Sequence, residues 1–162
     1  MSAVLFGKLP AHGDFVVRGL EADARAVLDD WLSASLVDAR EALGTAFEDR
    51  YDRAPPWRFL GSRAGALAPS QDAAGRRYPV LLFVGGTEPV LAEACELLLY
   101  DAIAQSWTAD RLLEAAASLD AGGNAPPEAP RWWTAGGEGF APVVIDGERP
   151  ASLLAAMLGD AA

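Results

Sequence analysis

The sequence predicts a single-domain layered α/β sandwich, a mixed sheet flanked by helices, and three features carry that reading. From Ala22 to Leu43 the apolar residues recur in steps of three and four. Tyr78 to Val84 is an unbroken apolar run closed by Gly85-Gly86. Short strand-like segments alternate with helical ones along the remaining chain, which is the order of a layered domain rather than of a bundle or a barrel. At 162 residues the chain has the length of one domain. A domain of that size buries roughly 70% of the surface its unfolded chain exposes, so it needs neither a disulfide nor a metal to hold it.

In chain order, Ala3 to Phe6 reads as a short buried strand, followed by a loop containing Pro10 and Gly13. On the first helix Ala24, Val27, Leu28, Trp31, Leu32, Leu36, Ala39 and Leu43 form one stripe, with Asp29, Asp30, Asp38 and Glu41 largely off it. Gly44 ends it. A second, short helix runs from Phe47 to Arg50, Pro55-Pro56 breaks the chain, Trp57 to Leu60 is an aromatic strand, and Leu67 begins another. The run ending at Val84 reads as a central strand buried on both faces. Glu88 to Trp107 is predicted helical, with Thr87 as N-cap and Pro89 in the first turn, and a further helix spans Asp110 to Leu119. Ala121 to Pro130, with Gly122-Gly123-Asn124 and three prolines, reads as a flexible loop. Strands at Arg131 to Thr134 and Phe140 to Ile145 and a terminal helix from Pro150 to Leu158 complete the chain.

Charge narrows the function classes. Thirteen Lys and Arg against 23 Asp and Glu leave a net charge of −10. Nucleic acid and anionic membrane surfaces are bound through clustered Lys and Arg, so this balance points away from both and toward a basic protein surface. The acids concentrate between Gly19 and Asp52, and the balance reverses from Arg53 to Arg77, where five arginines face only Asp72. The N-terminus has no basic region leading into a long apolar stretch, and no run reaches the roughly 20 apolar residues of a membrane span, which predicts a cytoplasmic protein without membrane insertion. Cys95 is the single cysteine, so neither an intrachain disulfide nor a cysteine zinc cluster is expected; within a helical apolar stripe it reads as a small buried hydrophobe.

Several residues invite chemistry. Gly7-Lys8 lacks the earlier glycine and the following Ser or Thr of a phosphate loop. His12, Asp14, Ser70 and Asp72 could be assembled into a small hydrolase or transferase, but no Gly-x-Ser-x-Gly elbow surrounds Ser70. Asp and Ser at such positions bond their own backbone two residues on and fix turns. A lone His and no Cys pair predict no metal, and no cofactor motif is present. The segment Ser70 to Pro79 has its own logic: Gly75 can supply a positive φ, Asp72 and Arg76 are spaced to pair across one turn, and Pro79 holds Tyr78 extended. Such a turn can present Arg76 and Arg77 outward. Trp132 and Trp133 read as core or sheet-face residues.

Read together, Gly7-Lys-Leu-Pro-Ala-His-Gly-Asp-Phe15, Arg18-Gly-Leu20, Trp31-Leu32, Ala54-Pro-Pro-Trp-Arg-Phe59, Pro69-Ser-Gln-Asp72, Gly75-Arg76, Tyr78-Pro79 and Trp132-Trp133 resemble the TagF family of bacterial type VI secretion, in order and spacing, from about Phe6 to Leu158. Tyr78 stands where that pattern has Phe, and Gly61 to Gly65 is short for it. The resemblance implies a compact α/β sandwich, comparable to a longin fold. It further implies a non-enzymatic, post-translational negative regulator whose partner is a cytoplasmic FHA scaffold protein. On this reading the partner-binding residues are His12, Gly13, Asp14, Phe15, Ser70, Asp72, Arg76 and Arg77, on the loop around Gly13 to Phe15 and the turn up to Arg77, together with Arg58 on the predicted strand, and the acidic helix faces are the alternative surface.

Overall fold

Alternating burial along the strands of the computed structural model, which describes residues 3–119 and 129–159, divides the core into two. Seven strands form one open sheet: β1 (Val4–Gly7), β2 (Val16–Arg18), β3 (Trp57–Leu60), β4 (Ala64–Ala68), β5 (Val80–Val84), β6 (Arg131–Thr134) and β7 (Val143–Asp146), in the order β2-β1-β5-β4-β3-β6-β7. One face sends Val4, Phe6, Phe59, Leu67, Leu81, Phe83 and Trp132 against α1 (Ala22–Leu43), α2 (Phe47–Arg53) and α5 (Leu153–Leu158). The other sends Leu5, Ala64, Ala66, Ala68, Val80, Leu82 and Val84 against α3 (Pro89–Ala104) and α4 (Ala109–Ala117). The chain is thus a layered α/β domain with helices on both faces, as its sequence predicts.

Every strand pairing is antiparallel, where the sequence reading expects a mixed sheet. The reason is topological. The two helical connections, β2 to β3 and β5 to β6, pass over intervening strands, so the strands they join are never neighbours.

The first helix has the predicted bounds, buries Leu28, Leu32, Leu36 and Ala39, leaves Val27 of the predicted stripe exposed, and ends at Gly44 with φ 53°. Its buried Ser35 hydroxyl accepts the Leu154 N–H at 3.0 Å, and Trp31 Nε1 donates to the Pro150 carbonyl at 2.9 Å, so α1 and the terminal helix lock together. Other boundaries shift. β2 lies inside the predicted loop, because three residues are too few to establish an alternation. β4 begins at Ala64 rather than Leu67, in an Ala-Gly run of low strand propensity. α2 extends to Arg53. α3 starts after Glu88, not after a Thr87 cap, and stops at Ala104 because Ser106 turns to φ 52°. α4 is capped by Thr108, whose Oγ1 accepts the Arg111 N–H. β7 starts at Val143 since Phe140 closes a tight turn with Gly137, and α5 starts at Leu153 rather than Pro150. The predicted flexible loop lies outside the described residues up to Glu128. Among the described residues no helix is long and apolar enough to cross a membrane.

The small residues of β4 have a packing role. Ala64, Ala66 and Ala68 leave room for α3 on one face, and on the other a Cβ on Gly65 would lie 2.3 Å from Phe83 Cδ1 and 2.5 Å from the Leu82 carbonyl oxygen. Gly65→Ala should therefore overpack the sheet and cost about 1–3 kcal/mol, read as a lower urea midpoint with an unchanged slope.

Candidate functional site

The predicted turn at Ser70 to Pro79 is built around one carboxylate. Asp72 has a side chain with no exposed surface. Its Oδ1 accepts the N–H groups of Ala74 at 2.9 Å and Arg76 at 3.0 Å, closing the turn locally. Its Oδ2 accepts Arg76 Nε at 2.7 Å and faces Lys8 Nζ at 3.3 Å. Gly75 supplies the expected positive φ, 84°. Burial opposes the charge on Asp72, but the hydrogen bonds from Arg76, Lys8 and Ala74 outweigh it and hold the carboxyl down at about 2.

Lys8 reaches this carboxylate because of the sheet register. Gly7 pairs with Val80 at the end of β1, and a Cβ there would sit 2.0 Å from the Pro79 carbonyl oxygen, so the strand end and the start of β5 approach as only glycine permits. Lys8 N–H then donates to that carbonyl at 3.3 Å, and its ammonium lies 4.9 Å from the centre of the Phe15 ring.

The same turn fixes the loop after β1. Arg76 Nη2 donates to the Gly13 carbonyl at 2.8 Å, and Ala73 N–H donates to the His12 carbonyl at 2.7 Å. His12 Nε2 accepts the Ala109 N–H at 2.9 Å, satisfying the first amide of α4, which places the ring proton on Nδ1 by the logic of that bond. Asp14 Oδ1 accepts the Phe15 N–H at 2.7 Å. Phe15 packs edge-on against Tyr78 at 4.8 Å and stacks with Phe6 at 6.1 Å. The Tyr78 hydroxyl donates to Asp29 Oδ1 at 2.9 Å on α1; burial and that carboxylate raise its pKa.

His12, Gly13, Asp14, Phe15, Asp72 and Arg76 are therefore one connected unit. Ser70 enters it from below: its N–H donates to the Tyr51 hydroxyl at 3.0 Å, that hydroxyl donates to the Ser70 carbonyl at 2.8 Å, and burial raises the pKa of Tyr51. Ser70 Oγ is buried with no hydrogen-bond partner among the described residues. Arg77 does not project outward as expected. Its guanidinium forks onto Asp52 at 2.9 and 2.8 Å and faces Glu48 at 3.5 Å, pinning the turn to α2. Arg58 stands apart from the unit, on β3, paired with Glu96 and with Glu93 of α3. Lys8 and Tyr51 belong to the site although the sequence reading does not place them there: Lys8 is the only lysine of the chain, and nothing in the pattern marks Tyr51.

Chemically, this arrangement uses its polar atoms for positioning. The His12 nitrogen that would serve a nucleophile is engaged by a backbone amide, and Asp14 and Asp72 bond the turns they sit in. Burial pushes the Cys95 thiol up to about 12. No group of three or more His, Cys, Asp and Glu among the described residues is placed to hold a metal ion.

The family model of the TagF N-terminal domain, type VI secretion system-associated, matches residues 4–119, a span that includes the whole unit. The crystal structure of PA0076 from Pseudomonas aeruginosa PAO1 aligns with a TM-score of 0.80 over 97% of this chain and 94% of that one, at 22% identity, a likeness of fold. None of the curated proteins compared with the chain matches it.

Asp72 provides a pH test. Its folded pKa of about 2 lies below the ordinary 3.8, so its contribution to stability is complete above about pH 4 and is lost as the pH falls toward 2. Asp72→Asn should lower the melting temperature at pH 7 by several degrees and flatten the acid limb of the melting profile between pH 4 and pH 2, since the variant has no such proton to bind.

Proposed function

Because the chain belongs to the TagF N-terminal domain family, we propose that it is a cytoplasmic negative regulator of type VI secretion that acts by binding and sequestering an FHA scaffold protein, with no reaction of its own. The family match carries this reading: it ties the chain to the secretion system, and the regulatory role and the FHA partner follow from the resemblance. The geometry of the loop unit supports a binding role. Loops held by a buried ion cluster need little further ordering when a partner arrives, which lowers the entropic cost of association.

Within that unit the recognition role belongs to the exposed Gly13 and Asp14 and to Arg76, whose side chain is 63% exposed, flanked by the half-buried His12 and Phe15. Ser70, Asp72 and Arg77 serve from inside by holding the turn. The net charge of −10 suits a basic surface on the partner. A hydrolase or transferase built on His12, Asp14, Ser70 and Asp72 gains no support, because three of these four side chains are already committed to backbone amides.

Two outcomes in the cell separate a repressor from a component of the machine. Deleting the gene should increase type VI secretion; a deletion that stops secretion would make the protein part of the apparatus instead. Asp14→Arg removes the exposed bond to the Phe15 N–H but none of the ion pairs of Asp72, so it should fail to restore repression in the deletion strain while melting within a few degrees of the unaltered protein. Full restoration would remove the loop from the binding surface.

A further inference from the structure

Three of the six large apolar side chains exposed among the described residues lie along α3: Val90, Leu97 and Tyr100 are 65%, 61% and 62% accessible. Single exposed apolar residues need no explanation. Here, however, positions 90, 93, 97 and 100 recur in steps of three and four, so that with Glu93 they form one narrow strip along the helix. This strip points away from Leu91, Ala92, Cys95, Leu99 and Ala102, which are buried against the sheet. Its spacing is that of the seam along which one helix packs on another. Beside it Arg58, Pro56, Glu93, Glu96, Leu97 and Tyr100 line a groove of about 460 Å³.

Charge decides what fits. At 100° per residue, Asp101 borders the strip on one side and Glu96 on the other, with Glu93 inside it. α3 contains no basic residue. One guanidinium, Arg58, is shared between Glu93 and Glu96, so this face keeps a negative excess on a chain already at −10. Such a surface repels a second copy of itself, nucleic acid and anionic lipid, and attracts cations next to apolar anchors.

We propose that the outer strip of α3 docks a helix of another protein, one that presents apolar residues at three and four residue spacing and Arg or Lys positioned to meet Glu93 and Asp101. Leu97 and Tyr100 are the anchors, and the adjoining groove takes a large side chain of the incoming helix. This goes beyond the reading above, since no member of the Asp72 unit takes part.

The test uses the purified full chain and a fluorescently labelled synthetic helix of about three heptads, Leu at the seam and Arg beside it, against a scrambled peptide of the same composition. Fluorescence anisotropy should show saturable binding of the patterned helix and binding at least about tenfold weaker for the scramble. Leu97→Asp and, separately, Tyr100→Asp should each weaken binding about tenfold. Val27→Asp, on the exposed side of α1, should not. Both strip substitutions add negative charge, so undiminished or tighter binding would mean that charge alone attracts the peptide and would overturn the proposal. Dimerisation of the free chain that Leu97→Asp abolishes would assign the strip to a second copy and overturn it as well. Secretion does not enter this measurement, so a failed repression phenotype and a failed titration are told apart.

Discussion

A carboxylate without exposed surface must be surrounded by donors, and the donors that surround Asp72 bring separate stretches of chain to one place. Lys8 comes from the end of β1, Arg76 from four residues along the same turn, and Arg76 in turn holds the Gly13 carbonyl. Removing any one donor leaves charge buried with less compensation, which is why such clusters act as a unit. From this point the order spreads outward: His12 satisfies the first amide of α4, Phe15 packs on Tyr78, and Arg77 fixes the turn to α2. The candidate binding loop inherits its shape from an ion cluster it covers.

That cluster depends on the sheet. β1 and β5 are paired so that Gly7 lies opposite Val80, and the chain leaving one strand meets the chain entering the other. Lys8 and the turn before β5 therefore share one end of the sheet, although they are far apart in sequence. The layers do the remaining work. Small residues on β4 admit α3 closely on one side, and the aromatic residues Phe59, Phe83 and Trp132 fill the other, with Phe59 and Trp132 ring centres 4.8 Å apart. Helices packed on both faces hold the sheet, and the sheet sets the site.

Much of this was legible in the residues. The apolar stripe of α1 set its bounds from Ala22 to Leu43, and Trp57 to Leu60 announced β3 by its aromatics. The turn at Asp72 was readable because its chemistry is local: a carboxylate, a glycine and an arginine within five positions. What escaped was non-local. No pattern in the chain says that Lys8 folds onto Asp72, that Tyr51 closes on Ser70, or that Arg77 turns inward to Asp52. The antiparallel sheet was missed for the same reason, since strand order is decided by where the connections cross. β2 and β4 were blurred by shortness and by alanine and glycine, which carry little strand signal of their own.

The function proposed for this fold is to hold a partner rather than to transform a substrate. The most direct measurement is isothermal titration calorimetry of the purified chain against the FHA scaffold protein encoded with the same secretion cluster, run with phosphorylated and unphosphorylated scaffold. Saturable one-to-one binding in at least one state is the predicted result. The absence of heat in both states, together with separate elution of the two proteins on gel filtration, would contradict sequestration.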